Sequence, residues 1–183
     1  MQKPKGFDAV AASLMYEPLE LGGHVCIIKN AEEDVSKTGR PMLKVAIDIA
    51  TGDPQAGYFA ARFANDTREN RRWPCVAYVV TVDDKGDCSR SLAGFVTSVE
   101  ESNPGFQFPW DNVVFLKGKR IGGVFGQEEY MAKDGKIKKA TKLFWFRSAD
   151  KVKDAPVPDV KKYKPQPTRD PSWGSISNDD IPF

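Results

Sequence analysis

The stretch from residue 42 to residue 49 alternates between apolar and smaller or more polar side chains, and this alternation restricts the fold more than any other feature. The residues on one side of an extended chain are Leu43, Val45, Ile47 and Ile49, and those on the other are Met42, Lys44, Ala46 and Asp48. A period of two belongs to a β-strand that buries one face. The chain must therefore supply a sheet around this strand and a core beneath it.

Turn residues predict how this strand pairs. The segment 36–41 contains both Gly39 and Pro41, and the apolar run 24–31 precedes it. We expect 24–31 and 42–49 to form a β-hairpin. Asp134-Gly135 predicts a second hairpin, which joins a strand at 113–125 to a last strand at 137–147.

The central part of the chain predicts further strands and one helix. Residues 58–63 and 76–82 are strand candidates, whereas 89–101 has the three-and-four spacing of an amphipathic helix. Glycines 118, 122 and 123 indicate that the strand at 113–125 is bent or bulged, as closure of a barrel requires. In the last strand, simple alternation places Leu143 and Trp145 on one face and Phe144 and Phe146 on the other.

The resulting order is three strands, a helix and two strands. This order is typical of the five-stranded oligonucleotide-binding barrel, or OB-fold, whose helix lies between strands 3 and 4. We therefore expect a mainly β fold with this barrel and a disordered C-terminal tail. The predicted organisation is a lead-in at 1–21, the domain at 22–153, a proline-rich flexible linker at 154–177 and an acidic tip at 178–183.

Charge is sorted along the chain although its formal sum is only +2. Between residues 117 and 153 the basic side chains are Lys117, Lys119, Arg120, Lys133, Lys136, Lys138, Lys139, Lys142, Arg147, Lys151 and Lys153. The acidic ones in the same stretch are Glu128, Glu129, Asp134 and Asp150. A basic body with an acidic tip favours a polyanionic ligand and a separate protein contact.

Several classes of protein are disfavoured by the composition. No apolar run approaches the roughly 20 residues that span a bilayer, and the first residues lack the apolar stretch of a signal peptide. The three cysteines are odd in number and widely spaced, which fits neither a disulfide framework nor a zinc ribbon. We expect a cytoplasmic protein that has no contact with a membrane.

Candidate catalytic residues are few. His24 is the only histidine, and a lone histidine on a strand is more often structural than catalytic. The glycines at 122–126 match no phosphate-binding loop, and carboxylates such as Asp48 and Asp53 are expected to be solvated turn residues rather than magnesium ligands. We expect no enzyme, no cofactor and no metal, with a metal-dependent nuclease kept as a minor alternative.

Cations and aromatic rings are interspersed in two segments, 58–73 and 138–146. A protein that binds flexible single strands needs this combination. We predict phosphate contacts from Lys37, Arg40, Lys44, Arg62, Arg71, Arg72, Lys117, Lys119, Arg120, Lys138 and Lys142. The predicted stacking rings are Tyr58, Trp73, Tyr130 and Trp145. The alternative for each aromatic residue is packing in the core.

The last five residues, Asp179, Asp180, Ile181, Pro182 and Phe183, resemble the C-terminal tip of bacterial single-stranded DNA-binding proteins. The resemblance implies recruitment of helicases, primases, nucleases or recombination mediators. Chemically, the ring and α-carboxylate of Phe183 can occupy a partner's apolar pocket with a basic rim. The segment 173–177 is less acidic than in the bacterial pattern, which leaves the partner and the affinity open.

The body resembles instead a family of phage-encoded proteins of OB-fold type found among replication and recombination functions. The likeness is carried by residues 36–43, 93–106 and 116–130. It implies binding and protection of single-stranded DNA during phage DNA replication or recombination. An adaptor that binds proteins but no DNA remains the main alternative, and both homo-oligomerisation and the preference between DNA and RNA stay open.

Overall fold

The computed structural model describes residues 2–5 and 17–165. Within these residues the fold has five strands and two α-helices, with a short 3-10 helix before the fourth strand. In chain order the elements are β1 (Gly22–Val35), β2 (Pro41–Ile49), α1 (Tyr58–Ala64), β3 (Val76–Val80), α2 (Arg90–Ser102), the 3-10 helix (Val113–Leu116), β4 (Arg120–Met131) and β5 (Ile137–Arg147).

The strands form one antiparallel sheet in the order β3-β2-β1-β4-β5. Both predicted hairpins are confirmed, as is the helix between the third and fourth strands. The strands β3 and β5 lie at opposite ends of the strand order and are not hydrogen-bonded neighbours. The sheet is therefore open, and the predicted closed barrel is not confirmed.

The core lies between the curved sheet and α2. The alternating residues of β2 predicted to face inward are all buried, with exposures of 2% or less. Helix α2 presents Leu92, Phe95 and Val99 to the same core. The helix begins at Ser89, whose hydroxyl accepts a hydrogen bond from the Leu92 amide at 3.0 Å, and this satisfies a donor that a helix start leaves unpaired.

The prediction of a strand at 58–63 is wrong, because these residues form helix α1. Gly57 turns the chain with a φ of 73°, and the buried carboxylate of Asp48 on β2 accepts hydrogen bonds from the amides of Phe59 (2.9 Å) and Ala60 (3.4 Å). A distant acceptor thus replaces the local N-cap. Asp48 is correspondingly buried, not the solvated turn residue that the sequence suggests.

The prediction of one strand at 113–125 is also wrong in its limits. Residues 113–116 form the 3-10 helix, and β4 starts at Arg120. The expected irregularity is present, since the β4–β5 pairing shifts between Val124 and Phe125. At this shift Phe144 has no partner residue in β4. As a result, Leu143 and Phe146 both pack against the core, and the simple alternation predicted for β5 fails there.

The contacts of His24 hold parts of the fold together. Its Nδ1 lies 3.0 Å from Asp53 Oδ1, and its Nε2 lies 3.1 Å from the backbone carbonyl oxygen of Glu20. The second carboxylate oxygen of Asp53 accepts from the Val25 amide at 3.3 Å. Both ring nitrogens therefore face acceptors, and the pair ties the segment before β1 to the turn after β2. Asp53 is buried rather than solvated.

Two glycines of the sheet allow the chain that follows β5 to pack against it. Val152 is fully buried, and a Cβ at Gly122 would lie 2.6 Å from the Val152 Cβ. A Cβ at Gly23 would overlap the Val152 carbonyl oxygen. Glycine in a strand commonly marks such a close approach of another backbone. No helix among residues 2–5 and 17–165 is long and apolar enough to cross a membrane.

Replacing Gly23 with alanine should destabilise the fold, because the new methyl group meets a backbone carbonyl that cannot rotate away. We expect Gly23→Ala to lower the free energy of unfolding by about 1–3 kcal/mol or more. Gly94→Ala is the matched control, since its Cβ would meet nothing within 4 Å. In the middle of α2 that alanine should stabilise by about 0.5–1 kcal/mol. Urea unfolding of both variants measures the difference, and a tolerated Gly23→Ala would contradict the packing described.

Stability should fall in alkaline solution partly because of Cys75. Burial raises the pKa of this thiol from 9.0 to about 12, and the positive charge of Lys142 partly opposes the rise. Below pH 9 the thiol is protonated in both the folded and the unfolded chain, so it has no effect on the pH dependence there. Above pH 9 the unfolded chain loses the proton first, and stability falls by up to about 1.4 kcal/mol per pH unit until the folded thiol also ionises.

Urea unfolding between pH 8 and pH ~10.5 tests this expectation. Cys75→Ala should show a flatter loss of stability with pH than Cys88→Ala, whose exposed thiol serves as the control. Equal slopes for the two variants would show that Cys75 is not buried as described.

Candidate functional site

A groove of about 940 Å³ lies between the two edge strands, where the sheet does not close. Residues 76–79 of β3 form one wall and residues 139–146 of β5 form the other. Helix α1 borders it through Tyr58 and Arg62, and helix α2 contributes Arg90 and Gly94. We call this feature the edge-strand groove.

Helix α2 closes the bottom of the groove. Phe95 of this helix packs edge-on against Phe146 of β5, with 5.0 Å between the ring centroids. Since β3 and β5 each have a hydrogen-bonded neighbour on one side only, the other backbone edge of each strand faces the groove. Such edges need water or a ligand to satisfy their amide and carbonyl groups.

The charged residues that line the groove all have the same sign. They are Arg62, Arg90, Lys139 and Lys142, and no carboxylate is among the described residues that line it. Within the described chain none of these four cations takes part in an ion pair. A depression lined by unpaired cations concentrates positive potential and attracts anions.

Aromatic side chains are exposed along the same groove. Tyr78 is 60% exposed, Tyr130 is 44% exposed and Trp145 is 39% exposed. Phe144 lies next to Trp145, at 6.1 Å between ring centroids. By contrast, Phe95 and Phe125 also border the groove but are buried in the core. The exposed rings can therefore offer flat apolar faces beside the cations.

A second depression of about 580 Å³ adjoins the groove and shares Tyr58, Arg62 and Pro74 with it. It adds Arg68 and Arg72. Arg68 is held by Asp66, whose pKa the guanidinium lowers to about 2. Among the described residues Arg72 has no ion pair, so the positive charge of the groove continues into this depression.

The structure brings together some of the residues that are predicted to contact phosphates and bases. Five of the predicted residues line the edge-strand groove: Tyr58, Arg62, Tyr130, Lys142 and Trp145. Arg72 lines the adjoining depression. These residues come from α1, the loop after it, β4 and β5, so their proximity depends on the fold.

The other predicted cations lie elsewhere on the surface. Lys37, Arg40 and Lys44 belong to the β1–β2 hairpin, where Arg40 pairs with Asp84 and Lys44 with Glu32. Lys138 pairs with Asp134 at 3.0 Å in the β4–β5 hairpin. The remaining ones outside the groove are Arg71, Lys117, Lys119 and Arg120.

Two of these outlying cations lie over aromatic rings. The Arg71 guanidinium carbon is 4.6 Å from the centroid of Phe63, and the Lys119 Nζ is 4.2 Å from that of Phe106. Such cation–π contacts hold the charges against the protein surface. Neither residue lines the edge-strand groove.

Trp73 has contacts that suit packing better than stacking on a base. Its indole Nε1 donates a hydrogen bond to the Ile47 carbonyl oxygen at 2.7 Å. Its ring centroid lies 5.4 Å from that of Phe63, and the side chain packs against the core. The predicted role of Trp73 as a stacking ring therefore receives no support from its environment.

Several lining residues are absent from the predicted contact set, namely Tyr78, Arg90, Lys139 and Phe144. Tyr78 could have been found from the alternation of β3, since Ala77 and Val79 pack on the core and Tyr78 lies between them. For Arg90 and Lys139 no local pattern distinguishes a groove position from an ordinary exposed one.

The predicted partner-binding residues 179–183 lie outside the residues that the structure describes. Within the described part of the chain, no group of three or more histidine, cysteine, aspartate or glutamate side chains is placed to hold a metal ion.

Comparison with known proteins assigns the chain to no family. No protein-family model matches the chain, and no curated protein sequence is significantly similar to it.

Proposed function

We propose that the protein binds single-stranded DNA in the edge-strand groove, largely without regard to base sequence. The observation that carries this proposal is the lining of the groove: four unpaired cations and several exposed rings, without a carboxylate among the described residues. Phosphates and bases are the two parts of a nucleic-acid strand that these two kinds of side chain bind.

Each kind of side chain has its own part in binding. Arg62, Lys139 and Lys142 attract phosphates and release their counterions, which makes the affinity depend on salt. Tyr130 and Trp145 offer ring faces to unstacked bases, and every base has such a face. A duplex hides its bases between two backbones, so stacking on these rings requires a single strand.

We further propose that the fold is an OB-type domain. The supporting features are the pairing of β1 with both β2 and β4 and the position of α2 between β3 and β4. Barrels of this type are partly open, and oligonucleotides bind on one side of them. The edge-strand groove is then the place where the barrel stays open.

The biological setting that we propose is phage DNA replication or recombination, in which the protein would protect single-stranded DNA. This proposal rests on the resemblance of residues 36–43, 93–106 and 116–130 to phage-encoded proteins of this kind. The tip residues 179–183 would recruit replication or recombination proteins, as their likeness to the bacterial tip implies.

The salt dependence of binding to oligo-dT tests the electrostatic part. We expect the affinity of the intact protein to fall steeply with salt. The double variant Lys139→Gln/Lys142→Gln should bind more weakly, and its slope of log affinity against log salt should be shallower by about 1.4, since each lost contact to a single strand removes about 0.7. Fluorescence titration at several salt concentrations gives both quantities.

The control is Lys85→Gln/Lys153→Gln, which removes two exposed lysines that do not line the groove. This variant should keep nearly the slope of the intact protein. Equal losses in the two double variants would refute the groove as the site. An intact protein that shows no shift of oligo-dT would favour the adaptor alternative, and tighter binding of RNA of the same sequence would change the proposed ligand.

Two exposed tryptophans in the described part of the chain allow a matched test of stacking. Trp145 lines the groove, whereas Trp110 is 63% exposed and lies outside it. Trp145→Ala should weaken oligo-dT binding about 5- to 150-fold, since stacking contributes about 1–3 kcal/mol per base. Trp110→Ala should have little effect. If Trp110→Ala caused the larger loss in an electrophoretic shift assay, the bases would have to lie on another surface.

A further inference from the structure

The chain that follows β5 does not leave the domain at residue 154. After Val152, which is buried against Gly23 and Gly122, it continues along the sheet. A Cβ at Gly22 would lie 3.4 Å from Val157, and one at Gly126 would lie 3.0 Å from Pro158. The predicted linker therefore begins with residues that pack closely on β1 and β4.

At Lys161 this segment hydrogen-bonds to β4 as a short parallel strand would. The Lys161 amide donates to the Gln127 carbonyl oxygen at 2.9 Å, and the Glu129 amide donates to the Lys161 carbonyl oxygen at 2.9 Å. The Lys161 Nζ is 2.6 Å from Glu128 Oε1. The Tyr163 amide donates to Glu129 Oε2 at 3.2 Å. We call residues 157–163 the strap.

The strap pairs with β4 beyond the point where β1 begins. The pairing of β1 with β4 runs from Ile27 opposite Arg120 to Gly22 opposite Phe125. Beyond Phe125, β4 is paired on one side with β5, and the strap occupies its other edge. The prolines of this segment suit such an edge position, because Pro156 and Pro158 have no amide to donate.

The part of β4 that the strap holds belongs to the hairpin that forms one wall of the groove. This hairpin carries Tyr130 on β4 and Lys139 and Lys142 on β5. A two-stranded hairpin is marginally stable in water without further contacts. A third strand of backbone bonds on β4 restricts its motion relative to the rest of the sheet.

We infer that the strap is a positioning element of the binding site: by pairing with β4 at residues 127–129 it fixes the β4–β5 hairpin, and with it the groove wall that contacts DNA. The binding unit then extends to about residue 163, not residue 153. The part of this inference that concerns DNA rests on the proposed function, whereas the fixing of the hairpin does not.

A pair of proline substitutions in the full chain tests the strap. Lys161→Pro removes the amide that donates to Gln127 and the charge that pairs with Glu128. Lys162→Pro also removes one lysine charge and adds the same ring one residue later, where neither the amide nor the ammonium group has a partner among the described residues. Hydrogen–deuterium exchange of residues 126–142 should be about fivefold or more faster in Lys161→Pro than in Lys162→Pro.

Affinity for oligo-dT is the second readout. Lys161→Pro should bind about fivefold or more weakly than Lys162→Pro, because the wall residues lose their fixed position. Unchanged exchange in β2 amides shows in the same experiment that Lys161→Pro is folded. Tyr163→Pro, which removes the hydrogen bond to Glu129, should act in the same direction with a smaller effect.

The outcomes separate this inference from the proposed function. If Lys161→Pro and Lys162→Pro exchange alike, the strap does not fix the hairpin and the inference is overturned, whether or not DNA binds. If exchange differs but oligo-dT affinity does not, the strap fails as a positioning element of the site. If exchange differs and the intact protein binds no oligo-dT, the fixing of the hairpin stands and the proposed function fails.

Discussion

The failure of β3 and β5 to pair is the constraint on which the rest of this structure depends. Helix α2 is inserted beneath the gap between them, with Phe95 packed against Phe146 of β5. The register shift over Phe144 turns both Leu143 and Phe146 inward at the same place. The core is thereby filled without a closed sheet, and two strand edges remain beside a groove instead of bonding to each other.

Much of the fold could be predicted because its determinants are local. The alternation of β2 and the two turn sequences predict both hairpins, and Ser89 with Leu92 marks the start of α2. Helix α1 could not be predicted, because the carboxylate that satisfies its first amides comes from Asp48 on another element. That the sheet stays open could not be predicted either, because this depends on the edge strands β3 and β5, which are far apart in sequence.

The sequence predicts a nucleic-acid site from its cations and rings, and that function stays a prediction. Of the residues predicted for the site, Arg62, Lys142 and Trp145 lie together in the groove. The sequence cannot separate such residues from similar ones with other contacts, because the difference is a tertiary partner. Trp73 donates to the Ile47 carbonyl, and Arg40 pairs with Asp84. Gly126 was an available signal for the strap, because a Cβ at this position would lie 3.0 Å from Pro158.

Net charge is a poor guide to this groove, because the sign of its potential comes from how carboxylates are distributed. With 27 basic and 25 acidic residues the chain is nearly balanced. The described ion pairs of Lys and Arg, such as those of Lys44, Lys151 and Lys161, involve residues that do not line the groove. Among the described residues the groove lining holds four cations and no carboxylate, so positive charge is locally unbalanced where the sheet is open. A nearly neutral protein can in this way present a cationic groove.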